Sequence, residues 1–84
     1  MATIKNYRVR LRFHEAGMPN MTVRYAYVGN GFTLTLVESE ATVYDGTNSE
    51  NSKYNAQAAG ETWRRTLGLE DRCKVELIEG HRVI

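Results

Sequence analysis

The stretch YRVRLRFH, from Tyr7 to His14, alternates strictly between two kinds of side chain. One set is aromatic or aliphatic and begins with Tyr7, and the other is basic. Such a period of two predicts a β-strand with one face buried and one face in solvent. Residues 15–20 contain Gly17 and Pro19 and predict a turn. Residues 21–28 then alternate again and are rich in aromatic and β-branched side chains, which predicts a second strand, antiparallel to the first.

A third strand is predicted from Phe32, after a tight turn at residues 29–31. Leu34 and Leu36 would point inward. If this register continued, Glu38 and Glu40 would also lie against the core, where an unpaired carboxylate is costly. We therefore expect a β-bulge or a strand break near residues 38–39.

A helix is predicted after the polar segment 45–53, starting between residues 48 and 53. Thr47 and Glu50 have the spacing of a capping box, with Ser49 or Ser52 as other candidate caps. Small and apolar residues recur at helical spacing on one face, and the helix should end before Gly68. That face comprises Ala56, Ala59, Gly60, Trp63 and Leu67.

A last strand is predicted over residues 72–79, followed by a short tail at 81–84. The order β-β-β-α-β predicts a single α+β domain over residues 1–84. Its sheet would be mainly antiparallel, with three or four strands and one helix on one face. The other face would have nothing to cover it.

Composition excludes several classes of protein. The chain has 84 residues, 42% of them hydrophobic, and a formal net charge of +1, which argues against disorder and against a general polyanion binder. One cysteine provides no disulfide framework, which favours a reducing compartment such as the cytoplasm. No apolar run is long enough to span a bilayer, so we expect no membrane partner.

Enzymatic chemistry is not predicted. Cys73 lies mid-strand and is expected to be a packed thiol, while His14 should be an exposed residue on the solvent face of its strand. The only other histidine, His81, lies beyond a glycine. Glu38 and Glu40 could act as a carboxylate pair, but solvation at the surface is the simpler interpretation. Too few ligands exist for a zinc site, so neither a metal nor another cofactor is expected.

The basic face of the first strand is the main candidate site. Arg8, Arg10 and Arg12 share it, and the same parity places Arg24 of the second strand beside them. Arginine binds phosphate through paired hydrogen bonds and stacks on bases, so this face could hold RNA or single-stranded DNA. By the same parity, however, the second-strand tyrosines would face the helix, leaving no aromatic platform. The alternative is a solvated face in which some arginines pair with Glu76 across strands.

Charge is segregated along the chain. Residues 1–36 carry a net charge of +4 and residues 37–61 a net charge of −4. A basic sheet face and an acidic segment around Glu38 and Glu40 would steer a charged partner, or a second copy, while the total stays near zero. Alternatively, the two signs neutralise each other in the fold.

The functional hypothesis is a small non-enzymatic protein-binding domain, an inhibitor or adaptor. Its expected partner-binding residues are Arg8, Arg10, Arg12, Arg24, Glu38 and Glu40. In size and layout alone the chain is similar to small inhibitors made by phages and mobile elements, including anti-CRISPR proteins, and that similarity assigns no residues. The alternative hypothesis is a nucleic-acid-binding module that uses the arginine face. A third is a homodimer through the bare sheet face or an edge strand.

Overall fold

The computed structural model describes residues 2–83 and contains four strands and one long helix. The sheet is antiparallel throughout, in the order β3-β2-β1-β4, and the helix packs on one face. This confirms the predicted α+β architecture. The elements are β1 (Thr3–Glu15), β2 (Met18–Gly29), β3 (Thr33–Thr35), a 3-10 helix (Glu38–Glu40), α1 (Ser49–Thr66) and β4 (Cys73–Val83).

β1 occupies a central position and carries much of the core. Its apolar set faces α1, and Val9 and Leu11 are completely buried. The other parity, which includes Arg10, faces away from the helix and is only half-buried. The two sets of side chains that alternate in the sequence of β1 therefore lie on opposite faces of the sheet.

The β1–β2 hairpin is tighter and less regular than predicted. Glu15 pairs with Met18 around a two-residue turn, and the register shifts on both sides of His14. One extra residue of β2 lies between the pairs Phe13–Arg24 and His14–Thr22, so Thr22 and Arg24 face opposite sides of the sheet although they are two residues apart. His14 itself is only 7% exposed, so the expectation of a surface histidine was wrong.

The third strand breaks before Glu38 and Glu40, as predicted, but it is shorter than expected, and Leu36, which was expected to point inward, is largely exposed. β3 ends at Thr35 and the 3-10 helix takes up residues 38–40, so both glutamates stay in solvent. The chain then forms isolated bridges from Ala41 to Gly29 and from Tyr44 to Tyr7. Because Gly29 pairs with β3 on one edge and with Ala41 on the other, the intervening segment 36–40 must cross β2.

The helix boundaries fall within the predicted limits, but the cap differs. Asn48 is the N-cap, and its side-chain oxygen accepts hydrogen bonds from the backbone N–H groups of Glu50 and Asn51. A capping box with Thr47 as the cap was therefore the wrong assignment. At the other end, Gly68 adopts a φ of +66°, as a glycine that ends a helix commonly does.

α1 covers only half of the sheet. It packs on β1 and β4, where a Cβ on Gly60 would lie within 2.9 Å of Val9, so glycine permits the close approach. Strands are spaced about 4.8 Å apart and a helix with its side chains is about 10 Å wide, so one helix cannot cover four strands. The half formed by β2 and β3 is left open on this face.

β4 is longer than predicted. It continues past Gly80, which pairs with Asn6, and ends at Val83 opposite Thr3. The tail expected at residues 81–84 is therefore a strand through residue 83, while residue 84 lies outside the described residues.

Candidate functional site

The predicted arginine face exists, and one carboxylate organises it. Arg8, Arg10 and Arg12 lie on the same face of β1, opposite residues of β4. Nε of Arg10 donates to Oε1 of Glu76 at 2.9 Å, and Nε of Arg12 donates to Oε2 at 3.2 Å. The predicted cross-strand pairing with Glu76 is thus confirmed, and it involves two arginines rather than one.

Arg12 is further engaged by the hairpin. Its Nη1 donates to the carbonyl oxygen of Pro19 at 2.6 Å and to Oγ1 of Thr22 at 3.2 Å. Its side chain is 15% exposed, so few of its donors are left for a ligand. Arg8 differs, since its Nε is buried and has no hydrogen-bond partner within residues 2–83.

Tyrosines lie on the arginine face, contrary to the sequence prediction. Tyr25 is paired with Arg12, and Tyr27 with Arg10, which places both rings on that side. The Cζ of Arg10 lies 4.5 Å from the centroid of the Tyr25 ring, in a cation–π contact. Tyr25 is 39% exposed, whereas Tyr27 is only 8% exposed. One tyrosine is therefore accessible on this face.

Arg24 lies on the opposite face. It is paired with Phe13, so it shares the helix side of the sheet with the core residues of β1. The expectation that it extends the surface of Arg8, Arg10 and Arg12 was wrong. The physical reason is the register shift next to His14, which puts Tyr25 and Tyr27 where parity alone would put Arg24.

The acidic segment crosses the arginine face. Val28 is completely buried in the core, so its neighbours Tyr27 and Gly29 must point to the arginine side. A Cβ on Gly29 would lie 3.5 Å from the carbonyl oxygen of Glu40, which places the crossing on that side. Glu38 and Glu40 are exposed, and neither forms an ion pair in the described part of the chain. They add negative charge at the end of the face where a phosphate would otherwise approach.

A second surface, not predicted from the sequence, lies on the helix side. The half of the sheet that α1 leaves open forms a groove of about 600 Å³. Phe13, Ala26 and Leu34 share this face of the sheet and line the groove, with Leu67 and Leu69 from the segment that follows α1. We call this surface the β2–β3 groove.

The lip of the β2–β3 groove is apolar and exposed. Leu36 is 70% exposed and Val23 is 56% exposed, and both line the groove. Arg24 and Arg72 also line it. Large apolar side chains in contiguous exposed positions, with a few polar groups around them, are typical of interaction surfaces. One signal for this groove was available in the sequence, since four strands and a single helix leave sheet surface uncovered.

The structure offers little to a catalytic interpretation. Cys73 is buried as expected, and burial raises the pKa of its thiol, so it lacks the lowered pKa of a nucleophile. Nδ1 of His14 lies 2.8 Å from the carbonyl oxygen of Glu15. Within residues 2–83, no cluster of three or more metal-ligating side chains is present.

Comparisons with known proteins provide no further assignment. No protein-family model, no curated protein and no solved structure matches the chain. In the described part of the chain, α1 is not apolar enough to cross a membrane.

Proposed function

We propose that the protein is a small protein-binding domain that acts as an inhibitor or adaptor and performs no catalysis. The observation that carries this proposal is the β2–β3 groove, an apolar depression whose lip exposes Leu36 and Val23. Burying such side chains against a partner contributes about 25 cal/mol for each Å² of apolar surface removed from water, which offsets the entropy that association costs. The size and layout, similar to those of small inhibitors of phages and mobile elements, are compatible with this role.

The test compares two matched substitutions in a search for the partner. Leu36→Asp puts a charge on the lip of the groove, and Tyr54→Asp puts one on α1 at a position of equal exposure, since Leu36 is 70% and Tyr54 72% exposed. Immobilised wild-type protein and both variants are incubated with lysate of the native host. The retained protein is then purified, and its affinity for each form is measured by calorimetry.

We expect one protein to bind the wild type and Tyr54→Asp equally, and Leu36→Asp at least about tenfold more weakly, because a buried unpaired carboxylate costs more than 1.4 kcal/mol. If no protein binds the wild type in defined stoichiometry, or if Leu36→Asp binds as well as the wild type, the proposal is wrong. Circular dichroism of all three forms verifies that folding is unchanged.

A second candidate function is binding of single-stranded nucleic acid on the arginine face. The observation that favours it is the accessible Tyr25 ring with Arg10 against it, because aromatic and guanidinium planes both stack on bases. Glu76 argues against nucleic-acid binding, because its carboxylate neutralises part of the positive charge of Arg10 and Arg12.

The arginine face is tested with labelled 20-nucleotide single-stranded RNA and DNA at 50 mM salt. If nucleic acid is the ligand, affinity decreases steeply with salt. Glu76→Gln should then bind more tightly than the wild type, because the negative charge that neutralises Arg10 and Arg12 is removed and one of the two guanidinium groups loses its partner. Absence of binding at 50 mM salt would eliminate this candidate without affecting the first.

A further inference from the structure

The β2–β3 groove lies beside an open strand edge. β3 pairs only with residues 27–29 of β2, so residues 18–26 have no neighbouring strand on their outer side among the described residues. At one end of this stretch the carbonyl oxygen of Pro19 is already occupied, because it accepts a hydrogen bond from Arg12. An open edge presents a row of main-chain donors and acceptors that a further strand can pair with.

Apart from the bulged pairing next to His14 and Pro19 at one end, the edge of β2 has few of the features that usually protect an edge strand. Met18, Met21 and Val23 are each more than half exposed along it. Arg24 is its only charged side chain. Residues 24–26, which follow the bulge, keep a regular register with β1 and have no strand on their outer side in the described part of the chain. Natural edge strands are commonly protected by several charges, by bulges or by covering segments.

The charges of the groove favour an anionic occupant. Arg24 and Arg72 line it, and neither forms an ion pair within residues 2–83, whereas Arg10 and Arg82 each bond to a carboxylate. Glu15 is the one carboxylate among the groove-lining residues. An arginine next to an apolar surface is well placed to bind a carboxylate, because the guanidinium can donate two parallel hydrogen bonds.

We infer that the groove binds an extended acidic and aliphatic segment of a partner protein, added as a strand to the open edge of β2. This inference rests on the proposed protein-binding function and specifies the partner's chemistry. Alternate aliphatic side chains of the segment fill the groove over Ala26 and Leu34, and a carboxylate of the segment bonds to Arg24 or Arg72. Main-chain hydrogen bonds to β2 supply affinity, and the alternate side chains supply specificity.

A second copy of this chain fits the groove less well. If β2 paired with the β2 of another copy, the added strand would contribute another Arg24 and no carboxylate, because residues 18–29 contain neither Asp nor Glu. Like charges brought to the same groove oppose association. The occupant is therefore a different protein segment.

The experiment is a selection from a displayed library of random 12-residue peptides against the full chain. We expect enrichment of peptides with aliphatic residues at every second position and at least one Asp or Glu. Enrichment of basic peptides, of peptides with a helical apolar period, or of none would overturn the inference. The proposed function would still stand if a host protein binds in a Leu36-dependent manner, so the two failures are distinguishable.

Two chemical controls on a selected synthetic peptide test the geometry. Replacing its acidic residues with Lys should weaken binding to the wild type at least about tenfold, and the double variant Arg24→Glu/Arg72→Glu should restore binding of the Lys peptide. Two further peptides carry N-methyl groups at every second residue, one on the odd-numbered and one on the even-numbered backbone nitrogens. Binding should be abolished in one of them and not in the other, because alternate N–H groups face β2. Strand addition would be contradicted if both methylated peptides bound equally well, or if the double variant did not restore binding of the Lys peptide.

The oligomeric state provides the remaining control. Light scattering of the wild type should give the mass of a monomer, and Val23→Lys should leave that mass unchanged. A dimer that Val23→Lys dissociates would show that a second copy occupies the edge and would overturn the inference.

Discussion

Glu76→Gln tests how the arginine face is held together. The carboxylate accepts from Arg10 on one oxygen and from Arg12 on the other. A glutamine has the same shape, but it offers one acceptor oxygen and an NH₂ group that would face a guanidinium. One arginine therefore loses its partner, and the attraction of the other is reduced.

The expected magnitude follows from the exposure of the three side chains, which lies between 15% and 32%. Fully exposed ion pairs contribute about 0.2–1 kcal/mol, and hydrogen bonds to charged groups in less exposed sites contribute about 1.5–3 kcal/mol. For this half-buried cluster we expect a decrease of about 1–2 kcal/mol in the free energy of unfolding. In a domain of this size, each kcal/mol lowers Tm by about 4–8 °C.

Urea unfolding monitored by circular dichroism measures the effect. The matched control is Glu79→Gln on the same strand, because Glu79 pairs with Lys5 at 3.6 Å and both side chains are more than half exposed. We expect that control to change stability by less than about 0.5 kcal/mol. If Glu76→Gln is no more destabilising than Glu79→Gln, the two-arginine cluster does not stabilise the fold and the reasoning fails.

Two further predictions concern the helix cap and the buried thiol. Asn48→Ala should lower the free energy of unfolding by about 1 kcal/mol, whereas Thr47→Ala should change it little; equal urea midpoints for the two would refute the cap assignment. Burial raises the pKa of the Cys73 thiol above its ordinary value of 9.0, so the unfolded chain loses this proton first and stability should fall as pH rises through 9. Urea midpoints between pH 7.5 and 9.5 should show this slope in the wild type but not in Cys73→Ala. If the urea midpoint of Cys73→Ala decreases with pH in the same way, another group causes the pH dependence and the reasoning about Cys73 is wrong.

The parts of the fold that were predictable depend on local signals. The break after β3 follows from the energetic cost of burying Glu38 and Glu40, and the helix end follows from the conformational preference of Gly68. Such signals act within a few residues, so they can be read without knowing what packs against them. The extension of β4 beyond Gly80 could not be read this way, because pairing with Asn6 of β1 overrides the local tendency of glycine to end a strand.

The composition of the arginine face depended on register, which is not a local property. Residues 25–28 of β2 are apolar on both parities, so hydrophobicity alone does not decide whether the tyrosines or Ala26 and Val28 face the core. The irregular pairing around His14 decides it and moves Arg24 to the groove. The extra residue that moves Arg24 lies between Thr22 and Arg24, inside the predicted strand 21–28, and the alternation of that segment gives no sign of it.

The alternating arginines of β1 have a consequence for how the chain folds. The β1–β2 hairpin closes around a two-residue turn, but β4 must pair across most of the chain, with Val83 opposite Thr3. Contacts between distant residues form late because closing a long loop costs entropy. Until β4 pairs with it, one edge of β1, the strand that carries the fully buried Val9 and Leu11, is unpaired. Arg8, Arg10 and Arg12 interrupt that strand at every second position during this interval, and they act as gatekeepers against aggregation whether or not they ever bind a ligand.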